Sequence, residues 1–288
     1  MRSSYHILAV FLLCLLFPRL NASCFEAVKP LGDIGNIRAH SICQDNTGTI
    51  WISTNLGLFS YDGINTTIHP VSCEKYKHSS SLIHHLVYNP AENNLYMLLH
   101  GYLMSYNLVN GNSKELSTQP FYNLKQGKGR LLTSNQDSLF EYADNHISLL
   151  YTLPEKDIIT AILEDENGIF LGTRNSGLLF LNKERQLTSF APHFKEIISL
   201  FKDSDSNLWA SSDGHGLMRF ALQQGGSDHR QYTAESGSLL SNSVREVNED
   251  NEKNLWVATS EGVNVFALSG TPIRGYSKRS DTRTGLTE

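Results

Sequence analysis

Four stretches of this 288-residue chain share one order of residue types. Residues 42–62 (ICQDNTGTIWISTNLGLFSYD) pass through a short apolar segment, an acidic turn with a glycine and a Trp-centred strand closed by Thr. A Gly-Leu step and an aromatic strand ending in Asp follow. The same order returns at 162–182 (ILEDENGIFLGTRNSGLLFLN), 200–220 (LFKDSDSNLWASSDGHGLMRF) and 247–266 (VNEDNEKNLWVATSEGVNVF). An internal repeat constrains the fold before any single residue does.

Two looser units lie between the first and second clear copies. One spans 82–107, with strands expected at 82–88, 95–100 and 102–107 and Tyr96 in the place of Trp51. The other has strands expected at 130–133, 138–142 and 147–151, after a first strand near 121–124. With Trp51, Tyr96, Arg130, Phe170, Trp209 and Trp256 taken as equivalent, the intervals are 45, 34, 40, 39 and 47 residues. A period near forty with four short strands per unit is that of a β-propeller blade. It is too long for a leucine-rich repeat, and no apolar run keeps a helical period over ten residues, which excludes an α-solenoid. The abundance of Gly (21), Phe (13) and Tyr (12) against 8 Pro suits short strands and tight turns. The fold expected is therefore all-β, a propeller of four-stranded blades with about six blades visible.

The repeated residues have structural reasons to recur. Central strands of a propeller are covered on both faces, so unbroken apolar runs such as Ile50-Trp51-Ile52 belong there. Trp51, Phe170, Trp209 and Trp256 each bury on the order of 150–250 Å² between blades. Thr54, Thr173 and Thr259 close the second strand and can hold the turn after it. Gly57, Gly177, Gly216 and Gly262 come next, where positive φ is expected. The acidic turns Gln44-Asp45, Glu164-Asp165, Lys202-Asp203 and Glu249-Asp250 read as turn caps that bond backbone N–H groups two residues on. They recur in every clear unit, whereas a catalytic site is unique.

Few other residues suggest chemistry. His84 and His85 are adjacent, so regular strand alternation would place their rings on opposite faces, unable to share a metal. His40 and Arg38 stand at the head of a first strand, where they line either a central channel or a solvated rim. Asp213-Gly214-His215-Gly216 reads as a loop that needs only flexibility, and Lys125, Lys128 and Arg130 as a small basic cluster in a solvated loop. No nucleophile elbow, zinc-binding HExxH, P-loop or dinucleotide fingerprint occurs. No catalytic, metal or cofactor residues are assigned, and the ligand-binding residues stay unassigned. Net charge −5 and pI near 6.1 argue against a nucleic-acid surface.

The N-terminus reads as a secretory signal over residues 1–23, with Arg2, an apolar run at 7–17 and small residues at Asn21-Ala22-Ser23. Eleven apolar residues are too few to span a bilayer. Cys24 directly after the signal opens a lipoprotein reading, against which stands Asn21 rather than Leu three residues before it. Cys14 leaves with the signal, and Cys24, Cys43 and Cys73 remain, an odd set whose pairing spacing does not fix. Cys43, inside a repeat strand, reads as a small buried apolar residue.

At DNTGTIWISTNLGLFSYDG, ENGIFLGTRNSGLLF and NLWASSDGHGLMRF the chain resembles the two-component-regulator propeller repeat, and the lead-in FEAVKPLGDIGNIRAHSI resembles the entry to such a propeller. The resemblance covers about 25–288, closely in four units, loosely in the second and poorly in the third. It implies the periplasmic sensor region of a hybrid two-component system of gut Bacteroidetes. Such sensors respond to oligosaccharides, form homodimers at full length, and carry their kinase in a downstream region absent here. It implies a non-catalytic domain, exported and tethered to the membrane in the full-length sensor or through a lipidated Cys24. In the repeat order, residues 25–29 resemble an outer strand that closes a ring, and 281–288 resemble a linker into a seventh unit. The expectation is a seven-bladed ring with an incomplete last blade.

Two alternatives stand beside the sensor: a secreted propeller enzyme acting on glycans (a lyase or a sialidase-like hydrolase) and a stand-alone protein-interaction propeller. Sialidase propellers space Asp, Gly and Trp by two and then three residues. Here Asp45, Gly48 and Trp51 are spaced by three and three.

Overall fold

The computed structural model of the chain describes residues 37–71, 82–226 and 228–277. The expected signal, Cys24, Cys73, the outer strand at 25–29 and the linker at 281–288 all lie outside these residues. The described strands form six antiparallel sheets of four strands each. The fold is the all-β propeller expected, in six blades.

The first blade holds β1 (Ala39–Gln44), β2 (Ile50–Thr54), β3 (Gly57–Tyr61) and β4 (Thr66–His69). The second holds β5 (Ile83–Asn89), β6 (Asn94–Leu99), β7 (Tyr102–Asn107) and β8 (Ser113–Glu115). The third holds β9 (Asn123–Gln126), β10 (Leu131–Asn135), β11 (Ser138–Ala143) and β12 (His146–Thr152). β13 (Ile159–Glu164), β14 (Gly168–Thr173), β15 (Leu178–Asn182) and β16 (Leu187–Ala191) make the fourth. The fifth is β17 (Ile197–Lys202), β18 (Asn207–Ser212), β19 (Leu217–Ala221) and β20 (His229–Tyr232). The sixth is β21 (Val244–Glu249), β22 (Asn254–Thr259), β23 (Gly262–Ala267) and β24 (Pro272–Ser277).

The chain divides into two compact units, Val28–Pro154 with the first three blades and Glu155–Glu288 with the last three. Inside each unit neighbouring blades pack face to face. Trp51 and Leu58 of the first blade meet Leu86, Leu95 and Met97 of the second. Tyr96 and Leu98 meet Leu124 and Leu131 of the third. In the other unit Phe170 packs with Leu200 and Leu208, and Trp209 with Val247 and Leu255. Second strands are therefore buried on both faces, as β2, β14 and β18 are along their whole length, while of the fourth strands β4 has no buried residue and β24 is mostly exposed. This is the burial order that the apolar runs of the sequence require.

The third blade corrects one equivalence. Asn135 pairs with Ser138 across the β10–β11 turn as Thr54 pairs with Gly57 across the β2–β3 turn. Counting back from that turn puts Leu132, not Arg130, in the place of Trp51. Arg130 precedes the strand, and its carbonyl closes a turn with the N–H of Gly127. The third unit has neither the large aromatic nor the acidic turn before it that mark this place in the other units, so sequence spacing had nothing to lock onto.

Most first strands are bulged at the same place. The pairing register slips at His40, Thr160, Ile198 and Arg245, each three residues before the residue that faces the second-strand aromatic. In the second blade the slip moves one residue on, to His85. A bulge turns one side chain out of the strict alternation of the strand.

Candidate functional site

The acidic turns are structural. Asp45 accepts the N–H groups of Thr47 and Thr49 at 2.8 and 3.1 Å and the indole N–H of Trp51 at 2.8 Å. Asp203 accepts from the N–H groups of Asp205 and Asn207 and from Trp209 Nε1 at 2.7 Å. Asp250 repeats this with Glu252, Asn254 and Trp256. Each carboxylate caps its own turn and clasps the strand aromatic six residues on. Burial pushes the Asp45 carboxyl up, but hydrogen bonds from Thr47, Trp51 and Thr49 more than offset this and hold it below the usual range. In the second blade Glu92 accepts the Tyr96 hydroxyl instead. In the fourth, where Phe170 has no donor, Asp165 pairs with Lys202. These acids are occupied in building blades.

The non-repeating residues gather elsewhere. In Val28–Pro154 the first strands β1, β5 and β9 run side by side, and their heads carry His40, His84 and Tyr122, each three residues before the residue that faces Trp51, Tyr96 or Leu132 on the second strand. The His40 and His84 rings lie 4.6 Å apart, inclined at 53°. His85, at the bulge, has φ +50°, and its ring donates to the Tyr122 carbonyl. His85 thus stands outside the regular ladder on which the expectation of opposite faces rests. His100 opens the β6–β7 turn, also at φ +50°, and donates its N–H to the Leu82 carbonyl at 3.0 Å. Arg38 is held by its backbone: its N–H donates to Asn55 Oδ1 at 2.5 Å, and its carbonyl accepts from the Asn55 N–H at 3.0 Å.

The electrostatics of this corner share one sign. Burial, then the charges of His84 and Arg38, hold His40 below its ordinary value. Burial and then His100 do the same to His84. Burial, then Lys125, His84 and His40, take His85 down to about 4, against the hydrogen bond to Tyr122. The strands β1, β2, β5, β6, β7, β9 and β10 contain no Asp or Glu. In the β10–β11 turn the Asp137 carboxylate accepts the Ser138 hydroxyl at 3.0 Å. Among the described residues no group of three or more His, Cys, Asp or Glu side chains is arranged to hold a metal ion.

The other singled-out residues separate. The basic cluster splits: Lys125 lies on β9 and acts on His85, Arg130 pairs with Glu141, and Lys128 is exposed in a turn. The Asp213–Gly216 loop is pinned as well as permissive. Asp213 accepts the Ser243 hydroxyl at 2.5 Å and pairs with Arg245 at 3.3 Å, and His215 Nδ1 lies 3.2 Å from Ser212 Oγ. Cys43 is a free thiol beside the first inter-blade core, its pKa pushed up to about 12 by burial and by Asp45. Sequence reasoning missed His100 and the part played by Lys125. The only signal for His100 was a histidine directly before the turn glycine Gly101.

Comparison with known proteins places this geometry. Residues 33–56 match the family model described as "Two component regulator propeller". No curated protein matches the chain. Among solved structures, the chain is similar to the extracellular domain of BT4673 from B. thetaiotaomicron, described as a hybrid two-component system, at 20% identity and TM-score 0.55. That alignment covers 79% of this chain and 37% of the other, so this chain spans well under half of that domain. It is similar at 16% identity and TM-score 0.63 to PorZ, a surface component of the type-IX secretion system of Porphyromonas gingivalis, with 79% of this chain and 38% of PorZ covered. It is also similar at 14% identity and TM-score 0.68 to virginiamycin B lyase from Staphylococcus aureus, with 84% and 85% covered. At these identities the structural likenesses speak for the propeller fold, and the match at 33–56 speaks for the repeat. The chain folds as a propeller, and its residues 33–56 match the two-component-regulator propeller repeat.

Proposed function

We propose that the chain is the sensor propeller of a hybrid two-component signalling system, exported across the cytoplasmic membrane, which recognises an oligosaccharide and does no chemistry on it. The observation that carries this reading is the repeat match at 33–56, which falls on the lead-in and the first acid–Trp blade. The likeness to the extracellular domain of a two-component system supports it at the level of architecture. The engagement of Asp45, Asp203 and Asp250 in turn caps and indole clasps supports the non-catalytic part, since these are the carboxylates the repeat supplies most regularly. In a full-length sensor the propeller would act as part of a homodimer tethered to the membrane and pass its signal to a kinase region.

A second reading is favoured by one observation. The likeness to virginiamycin B lyase covers most of both chains. On that reading the histidine-lined strand heads would face a substrate to be cleaved. Calorimetry against a panel of neutral and acidic oligosaccharides, with product analysis of each mixture, separates the two. Saturable binding with the saccharide recovered intact is the outcome expected of a sensor, and turnover by the purified chain would overturn that reading.

A further inference from the structure

Repeats separate what builds the fold from what does not. At the bulge position where the first blade has His40, the blades of Glu155–Glu288 have Thr160, Ile198 and Arg245. The histidines of Val28–Pro154 are thus no requirement of a blade. They gather in one corner, where His40 and His84 lie ring to ring, Arg38 bears on His40, and Lys125 bears on the adjacent His85. Two of the group, His85 and His100, hold positive φ, the first at the β5 bulge and the second in the β6–β7 turn. Like charges so close repel, and a bound anion relieves that repulsion.

We propose that Arg38, His40, His84, His85, His100 and Lys125 form an oxyanion-binding site that takes a carboxylate or sulfate group and holds it more tightly as pH falls. Arg38 and Lys125 supply permanent positive charge, and the imidazoles add theirs on protonation. An arriving oxyanion accepts hydrogen bonds from imidazolium N–H groups, and these charge-assisted bonds are the strong ones. The cations and imidazoles that act on these rings are Arg38 on His40, from the chain entering β1, His100 on His84, from the β6–β7 turn, and Lys125 on His85, from β9. In the β10–β11 turn the Asp137 carboxylate is engaged by Ser138. The charge of an incoming anion is therefore balanced by cations from several elements. Joined to the sensor reading, on which this last step rests, the site narrows the saccharide to an acidic one, a uronate or a sulfated sugar.

The test uses the full chain. Binding of sodium sulfate, digalacturonate and neutral digalactose is measured by calorimetry at pH 5.5 and 7.5 at matched ionic strength, and the histidine ring protons are followed by NMR over the same range. Sulfate is expected to bind at pH 5.5, to weaken about tenfold at pH 7.5, and to raise the apparent pKa of the His40 and His84 signals. H84Q and K125Q, which are judged only if they melt as the parent does, are each expected to weaken sulfate by about tenfold at pH 5.5. Unchanged ring titrations with sulfate, equal affinity at both pH values, or undiminished sulfate binding by both variants would overturn the site. Sulfate binding without digalacturonate binding supports the site and overturns its use for an acidic sugar. Equal binding of digalacturonate and digalactose, with sulfate inert, overturns the site and leaves the sensor reading standing.

Discussion

Asp203 serves four donors from within the fifth blade: the N–H groups of Asp205 and Asn207, the Asn207 amide and the Trp209 indole. It is 4% exposed and Trp209 is fully buried, so removing the carboxylate leaves donors that water cannot reach. Asp203→Ala is expected to cost about 2–4 kcal/mol in urea unfolding, as the sum of unmet buried donors. The capping half of this arrangement was legible in the sequence, because Asp in a turn bonds the N–H two residues on. The indole half was not, since a bond from residue i to i+6 exists only once the hairpin has folded back. The same limit applies to the histidines. Their positions could be read, but their proximity depends on β1 and β5 lying side by side.

Those histidines also predict an acid-sensitive fold. His40, His84, His85 and His69 are all held below the ordinary histidine value, chiefly by burial. His69 lies between Ser60 and the Tyr106 hydroxyl, 2.7 and 3.0 Å away. The unfolded chain takes up protons on these groups at higher pH than the folded one does. Their neutral forms therefore cost nothing above about pH 7, and stability falls as pH drops below about 6.5 toward the folded-state values. His85, at about 4, alone accounts for a loss of up to about 2 kcal/mol at pH 5. Thermal melts are expected to show a lower Tm at pH 5 than at pH 7.5, with part of the difference removed in His85→Gln. A flat profile over that range would contradict the burial described.

The β-hairpins show why the repeat spells glycine where it does. Gly216 sits at φ +80°, and a Cβ there would lie 2.2 Å from the Tyr232 carbonyl oxygen on the neighbouring strand β20. Gly214, two residues earlier in the same loop, has φ +111° with nothing within 4 Å. Gly216→Ala is expected to cost at least about 3 kcal/mol, and Gly214→Ala about 1 kcal/mol from backbone strain alone. Chemical unfolding of the two variants side by side checks the contrast. Most strands lie within a residue or two of where alternation and turn residues put them. The bulges were invisible to that reading, because one inserted residue leaves the local composition unchanged. They nonetheless decide which first-strand residue leaves the ladder, as His85 does in the second blade.

Across the full set of blades, three tryptophans occupy one repeat position in unlike surroundings. Trp209 is fully buried with Val247, Leu255 and Phe266 of the next blade around it, and Trp51 is 6% exposed. Trp256 is only half-buried, beside Val263, Val265 and the parallel ring of Tyr276 at 6.4 Å. Trp209→Ala is therefore expected to cost about 3–5 kcal/mol, and Trp256→Ala about 1–2 kcal/mol. Acrylamide is expected to quench Trp256 more strongly than the other two, which single-tryptophan variants would show.

The Asp–indole clasp also bears on how such a chain comes to be folded. It closes a loop of only six residues, between a turn and the strand leaving it, so it can form before any blade has met its neighbour. The first, fifth and sixth blades carry this local nucleus, whereas the third has Leu132 in the aromatic's place. A chain assembled in this way acquires its hairpins in the clasped blades first, and the third blade takes shape by condensing onto the second. The repeat signature is then a record of where folding begins, written in the residues that a search for a catalytic site would examine first.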